Sequence, residues 1–261
     1  MHQNLCVKTH TPNAHATILM QQQLVPMIDE PQPAWSILTT LFWAATLIVV
    51  PGVIVGYAFS IYANVTEIVD TTQWFAQIEV LMVMTFVIYF FTLSMIIGLA
   101  KFSAHNQSTF NYLNIKSAHK NQVLQVVVIS AIFWGVLTVS GILLNLPEEP
   151  FMLQLKHSNM PIWFVFLNVC LLAPIVEEVA CRGFLFKRFQ LTKLGVSGAV
   201  IVTSLLFTSL HGQYGMIGLA IVLVMALYFS WLRVRTQNTT LCIIGHSTCN
   251  TLTMIALYSV N

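Results

Sequence analysis

Residues 161–188 read PIWFVFLNVCLLAPIVEEVACRGFLFKR. The run has the length and apolar character of a membrane-crossing helix, yet Glu177, Glu178 and Arg182 stand inside it. A charged group at the bilayer centre costs about 2.5–3.5 kcal/mol on insertion scales. Chains keep such groups where they pair, line a wet cavity or do chemistry. Two further polar sites of the same kind follow downstream, His211 and the pair His246/Asn250.

The rest of the chain agrees with a membrane setting. Of the 261 residues, 57% are hydrophobic and only 8% charged, with a mean hydropathy of +0.77. Soluble domains carry about 25% charged residues. The pattern predicts an all-α, polytopic transmembrane helical bundle of about seven spans. The expected helices are 35–61, 75–100, 122–146, 161–186, 196–214, 216–233 and 240–259, with the cavity among the last four. Residues 1–33 read as a polar N-terminal tail and 34–261 as one transmembrane domain. The first apolar run, from Trp35, is about 27 residues long, a span rather than the short core of a signal peptide. His2, His10 and His15 in the tail read as solvated; their irregular spacing is a poor metal site. A net charge of +2 gives no basis for nucleic-acid binding.

Five cysteines without a C-x-x-C pair argue against a disulfide framework or a thiolate zinc site. Cys181 is placed to be a nucleophile but has no local base. Gly52 and Gly56 form a G-x-x-x-G face in the first span, read as close packing within the subunit. It leaves the oligomeric state open.

Loop charges predict orientation. With the N-terminus cytoplasmic, Lys8, Lys101, Lys116, Lys120, Lys187, Arg188, Lys193, Arg233 and Arg235 face in, and only Lys156 faces out. At 1.5 Å of rise per residue, Glu177 lies about 15 Å from the Lys187 edge, His246 about 12 Å deep and Asn250 about 18 Å, with His211 deeper at about 22 Å.

Spacing sorts these residues by face. Glu178 and Arg182, four apart, can pair. Glu177 points about 100° away and is left without that partner. His246 and Asn250 share a face, as do Phe207 and His211. A lone intramembrane His or Asn serves as interhelical glue, and Glu178–Arg182 serves equally as a structural pair. Glu177, a second acid beside a paired one, has no such structural use. A glutamate and two histidines with an amide beside them support hydrolysis of an amide by activated water. The carboxylate takes the proton, and the imidazole and amide donate to the developing oxyanion.

The ordered set E-E-x-x-x-R (Glu177, Glu178, Arg182), F-x-x-x-H (Phe207, His211) and H-x-x-x-N (His246, Asn250) resembles the CPBP family, the CAAX-protease and bacteriocin-processing (Abi) intramembrane proteases. The resemblance covers about 120–255. It implies that Glu177 and His211 activate water and that His246 and Asn250 form the oxyanion hole. Glu178 and Arg182 would support the site or engage substrate, with Phe207 beside them. It implies a glutamic-type mechanism without a metal cofactor; the alternative is zinc held by Glu177, His211 and His246. The expected partners are the lipid bilayer and a peptide or membrane-protein substrate, in a bacterial inner (plasma) membrane. Two rivals remain, a non-enzymatic immunity or scaffold protein and a proton-coupled transporter. The lack of an inverted repeat counts against the transporter.

Overall fold

The computed structural model describes residues 36–104 and 107–259, which form one compact unit. The tail with its three histidines, Cys6 and Lys8 lies outside the described residues. Helix α1 runs Ile37–Val65, capped by Ser36, whose side chain accepts from the Thr39 amide. A short α2, Thr71–Phe75, leads to α3, Ile78–Ser103. Among the described residues of the connector, one turn, α4 (Thr109–Tyr112), is helical before α5, Lys120–Leu143. Then come α6 (Pro150–Lys156), α7 (Ile162–Gln190), α8 (Gly195–Ser209), α9 (Met216–Thr236) and α10 (Thr239–Ser259).

Among the described residues, α1, α3, α5, α7, α9 and α10 are long and apolar enough to cross a membrane. The chain is a multi-pass membrane protein. Six helices pass that test rather than seven, because the expected 196–214 span stops at Ser209. Its 15 residues reach about 22 Å, short of a hydrocarbon core of about 30 Å. His211 therefore sits in the turn after α8, not within a span.

Helix α7 is the axis of the bundle. Half of its most apolar window is buried against protein, 50% compared with 11% for α5. Polar ties draw the neighbours in. Ser130 of α5 meets the Tyr228 hydroxyl at 2.8 Å, and the Trp134 indole donates to Thr253 at 3.0 Å. The Asn168 amide donates to the Met82 carbonyl at 3.0 Å, joining α7 to α3. Gly245 lets α10 come close. A Cβ there would lie 2.7 Å from a Leu232 methyl and 3.0 Å from Ser130 Oγ. At the other end, Thr239 and Asn238 bond the backbone at Leu113, Asn114 and Lys116, seating the connector under α10.

Two sequence expectations need correction. Arg233 and Arg188, counted as loop charges, are fully buried in helices. Their aliphatic stems and planar heads pack on aromatic rings, Arg233 on Phe186 and Arg188 on Tyr112. Among the described residues, nothing lies within 4 Å of a Cβ built at Gly52 or Gly56, so no described part of the chain packs closely on that face.

Candidate active site

The site begins with a backbone irregularity. Helix α7 widens twice into π-type turns, at Leu167–Leu172 and Val179–Leu185, with the acids on the α-helical stretch Ala173–Glu178 between them. At the end of the first wide turn the Ala173 amide bonds the Asn168 carbonyl, five residues back. The Val169 carbonyl has then lost its usual donor. The next candidate is Pro174, which has no N–H. The Asn250 side chain fills the gap, donating to Val169 O at 2.9 Å. The second wide turn repeats the device. The Phe186 amide bonds Cys181 rather than Arg182, and Arg233 Nε donates to the Arg182 carbonyl at 2.9 Å. Each displaced carbonyl is thus satisfied by a side chain from α10 or α9, as buried backbone requires. Wide turns of this kind cluster at functional sites.

Behind the cavity lies a buried charge cluster. Glu178 and Arg182 are both fully buried, and Arg182 Nη1 donates to Glu178 Oε1 at 3.1 Å. Arg182 Nη2 donates to the Ala226 carbonyl at 2.8 Å, and the guanidinium lies 4.6 Å over the Phe207 ring. Glu178 Oε1 also accepts from His246 Nδ1 at 3.0 Å. Because a carboxylate accepts, Nδ1 carries the proton, and Nε2 is the nitrogen left facing forward. The His246 ring stacks on Phe229, centroids 4.5 Å apart, which fixes its plane.

Glu177 faces the other way, into a cavity of about 530 Å³ that His211, His246 and Asn250 also line. Its Oε2 stands 4.0 Å from His246 Nε2, and its side chain keeps 19% exposure. That gap is too long for a direct hydrogen bond, but one oxygen atom at about 2.8 Å from each fits between them. Its Oε1 accepts from the Tyr89 hydroxyl at 3.4 Å. Opposite, His211 Nδ1 donates to the Phe207 carbonyl at 2.8 Å, which leaves the Nε2 lone pair free. Its ring is held between Phe207, stacked at 4.7 Å, and Tyr214 at 6.1 Å.

The short α8 is what delivers His211. The chain turns back at Leu210–Tyr214 instead of continuing, and the imidazole projects from that turn into the cavity. Helix α6 closes the same end: Phe151, Met152 and Leu155 line the cavity, and Glu149 accepts from the Gly215 amide at 3.1 Å. Cys181 is buried at 3% exposure.

All seven residues singled out in the sequence lie at this one place: Glu177, His211, His246 and Asn250 on the cavity, Glu178 and Arg182 behind it, Phe207 bridging the two. Among the described residues, no three His, Cys, Asp or Glu side chains converge on a point that would hold a metal ion. Glu177, His211 and His246 share one cavity. Sequence reasoning missed Tyr89, Tyr214, Phe229 and Arg233. A tyrosine or a phenylalanine in an apolar span gives no signal of its own.

Comparison with known proteins agrees with the motif. Residues 159–252 match the family model described as type II CAAX prenyl endopeptidase Rce1-like. An Escherichia coli protein described as an uncharacterized 24.3 kDa protein is 31% identical over 119 residues. That stretch is 44% of this chain and 55% of the relative, so the match spans about half the length of the curated protein. No solved structure matches the chain significantly. The segment 159–252, which is similar to the Rce1-like family model, holds every residue of the three motifs and brings them to one place in the fold.

Proposed function

We propose that this chain is a CPBP-type intramembrane endopeptidase, hydrolysing a peptide bond with water activated by Glu177 and His211 and using no metal. One observation carries the reading. Glu177 from α7, His211 from the turn after α8, and His246 and Asn250 from α10 line a single cavity, with Glu177 Oε2 and His246 Nε2 one bridging oxygen apart. The family description supports it.

In this reading Glu177 takes a proton from water while the His211 Nε2 lone pair accepts the water's second hydrogen bond. The hydroxide so formed attacks the scissile carbonyl, and the carbonyl electrons move to oxygen. His246 and Asn250 stabilise that oxyanion. His246 donates through Nε2 only as the imidazolium, because Nδ1–H is committed to Glu178. With Glu177 already protonated at this point, Glu178, Arg182 and the imidazolium carry a net charge of +1, which the oxyanion's −1 balances. Asn250 spends one amide hydrogen on Val169 and has another to offer. The intermediate then collapses. The C–N bond breaks, and the proton on Glu177 passes to the leaving amine.

In this reading the site is served from the cytosolic half of a bacterial inner membrane, with the N-terminus cytoplasmic; the loop charges that precede α8, Lys101, Lys116, Lys120 and Lys193 against Lys156, support that orientation. Purified protein with a prenylated and an unprenylated reporter peptide tests the chemistry. Glu177→Gln keeps shape and removes the base, so turnover should fall by at least about 100-fold while the folded yield is unchanged. Wild-type activity should survive prolonged chelation. Turnover retained in Glu177→Gln defeats the proposal, and loss on chelation that zinc restores defeats its metal-free part.

A further inference from the structure

The half of the chain without a motif still reaches the reacting carboxylate. Tyr89 projects from α3 into the cavity wall and donates its hydroxyl to Glu177 Oε1 at 3.4 Å, while Oε2 faces His246. The two oxygens of one carboxylate are therefore unlike: a phenol holds one, and the other looks onto an imidazole. We propose that Tyr89 is a positioning residue for Glu177, fixing the rotation of the carboxylate so that Oε2 is the oxygen that receives the proton from water. The inference rests on Glu177 being the general base.

The terminal torsion of a glutamate is broad and two-fold. Without a second contact the carboxylate samples many rotations, and only some present an oxygen toward His246. Tyr89 is well placed to choose among them. Its helix is tied to α7 two turns earlier by the Asn168–Met82 bond. Two other hydroxyls of α3 stay at home: Thr85 bonds Leu81 O at 2.8 Å and Ser94 bonds Phe90 O at 2.7 Å. Tyr89 alone of these three reaches across to another helix. A phenylalanine would fill the same volume. The hydroxyl's loss of water in an apolar wall is offset by a charge-assisted hydrogen bond. Its 3.4 Å length is loose, and such contacts tighten when substrate closes the site.

Tyr89→Phe and Tyr89→Leu, assayed beside Glu177→Gln, test this. Tyr89→Phe keeps the ring and should lower kcat about ten-fold with KM within about two-fold, since misplacing a catalytic group costs rate rather than binding. Tyr89→Leu, which also removes the ring, should share that kcat loss and add a rise in KM. Wild-type kcat in Tyr89→Phe with loss only in Tyr89→Leu reduces Tyr89 to wall packing and overturns the inference. If Glu177→Gln is inactive in that case, the proposed chemistry stands and only the role of Tyr89 falls. Activity in Glu177→Gln removes the chemistry itself, and this inference with it.

Discussion

Helices α5 and α7 are both long and apolar, but the bundle uses them in opposite ways. Along α5, Ile132, Val136, Val139 and Leu143 form a stripe with exposures of 62%, 59%, 55% and 75%. None of the described residues covers that stripe, which suits it to face lipid. Along α7, Glu178, Arg182 and Arg188 are almost wholly enclosed. Hydropathy does not separate the two helices; charge does. A carboxylate and a guanidinium in hydrocarbon need donors and acceptors on several sides at once, which only a central position supplies. The acids of α7 therefore fix its place in the bundle, whatever chemistry they later perform.

The sharpest way to break this contrast is to take one partner out of the centre. Arg182→Met leaves Glu178 a buried anion with only His246 against it. The expected loss is about 3–5 kcal/mol, enough to remove folded protein from a detergent extract. Pairing the change with Glu178→Gln should restore much of the stability, because no charge is then stranded, while turnover stays low through the misplaced His246. Size-exclusion profiles and chemical unfolding of the three variants decide the matter. Wild-type stability in Arg182→Met would show that the cluster does not hold α7 at the centre.

Asn250 sharpens the comparison at a smaller scale, because it serves both backbone and cavity. Asn250→Ala strands the Val169 carbonyl at a cost of about 1–3 kcal/mol. It also removes an oxyanion donor, and kcat should fall about 10²–10³-fold. Both losses should appear together. A stability loss with turnover intact would make Asn250 a brace for the wide turn and leave His246 as the oxyanion donor.

Much of this was legible in the sequence, for reasons that differ by element. The long spans announce themselves through apolar runs: 122–146 was expected where α5 runs Lys120–Leu143, and 240–259 where α10 runs Thr239–Ser259. The three motifs named residues that line one cavity or brace it from behind, because polar side chains at helical spacing in hydrocarbon have few other uses. The wide turns were not legible. They depend on which N–H each carbonyl finds, and their repair comes from Asn250 and Arg233, about 50 to 80 residues further along the chain. Uniform rise per residue therefore gave only approximate depths for the acids. His211 seemed too deep for the same kind of reason, since the sequence shows no stop to α8 before Gly212. Arg233 and Arg188 read as loop charges because periodicity says nothing of the aromatic rings waiting for them.

The smallest effect belongs to the outer face of α5. Val136→Leu adds one methylene where lipid already stands, and lipid tails are as apolar as leucine. No cavity forms, no polar group is stranded and no packed neighbour must move. Stability should change by less than about 0.5 kcal/mol and kcat not at all. The same helix has an inner face, where Val126 is 4% exposed and its methyl lies 3.4 Å from a Cβ built at Gly245, the residue next to His246. The neutrality expected at Val136 is thus a property of the face, not of the helix. A clear loss of turnover in Val136→Leu would mean that this stripe touches something other than lipid, and α5 could no longer be treated as the passive member of the pair.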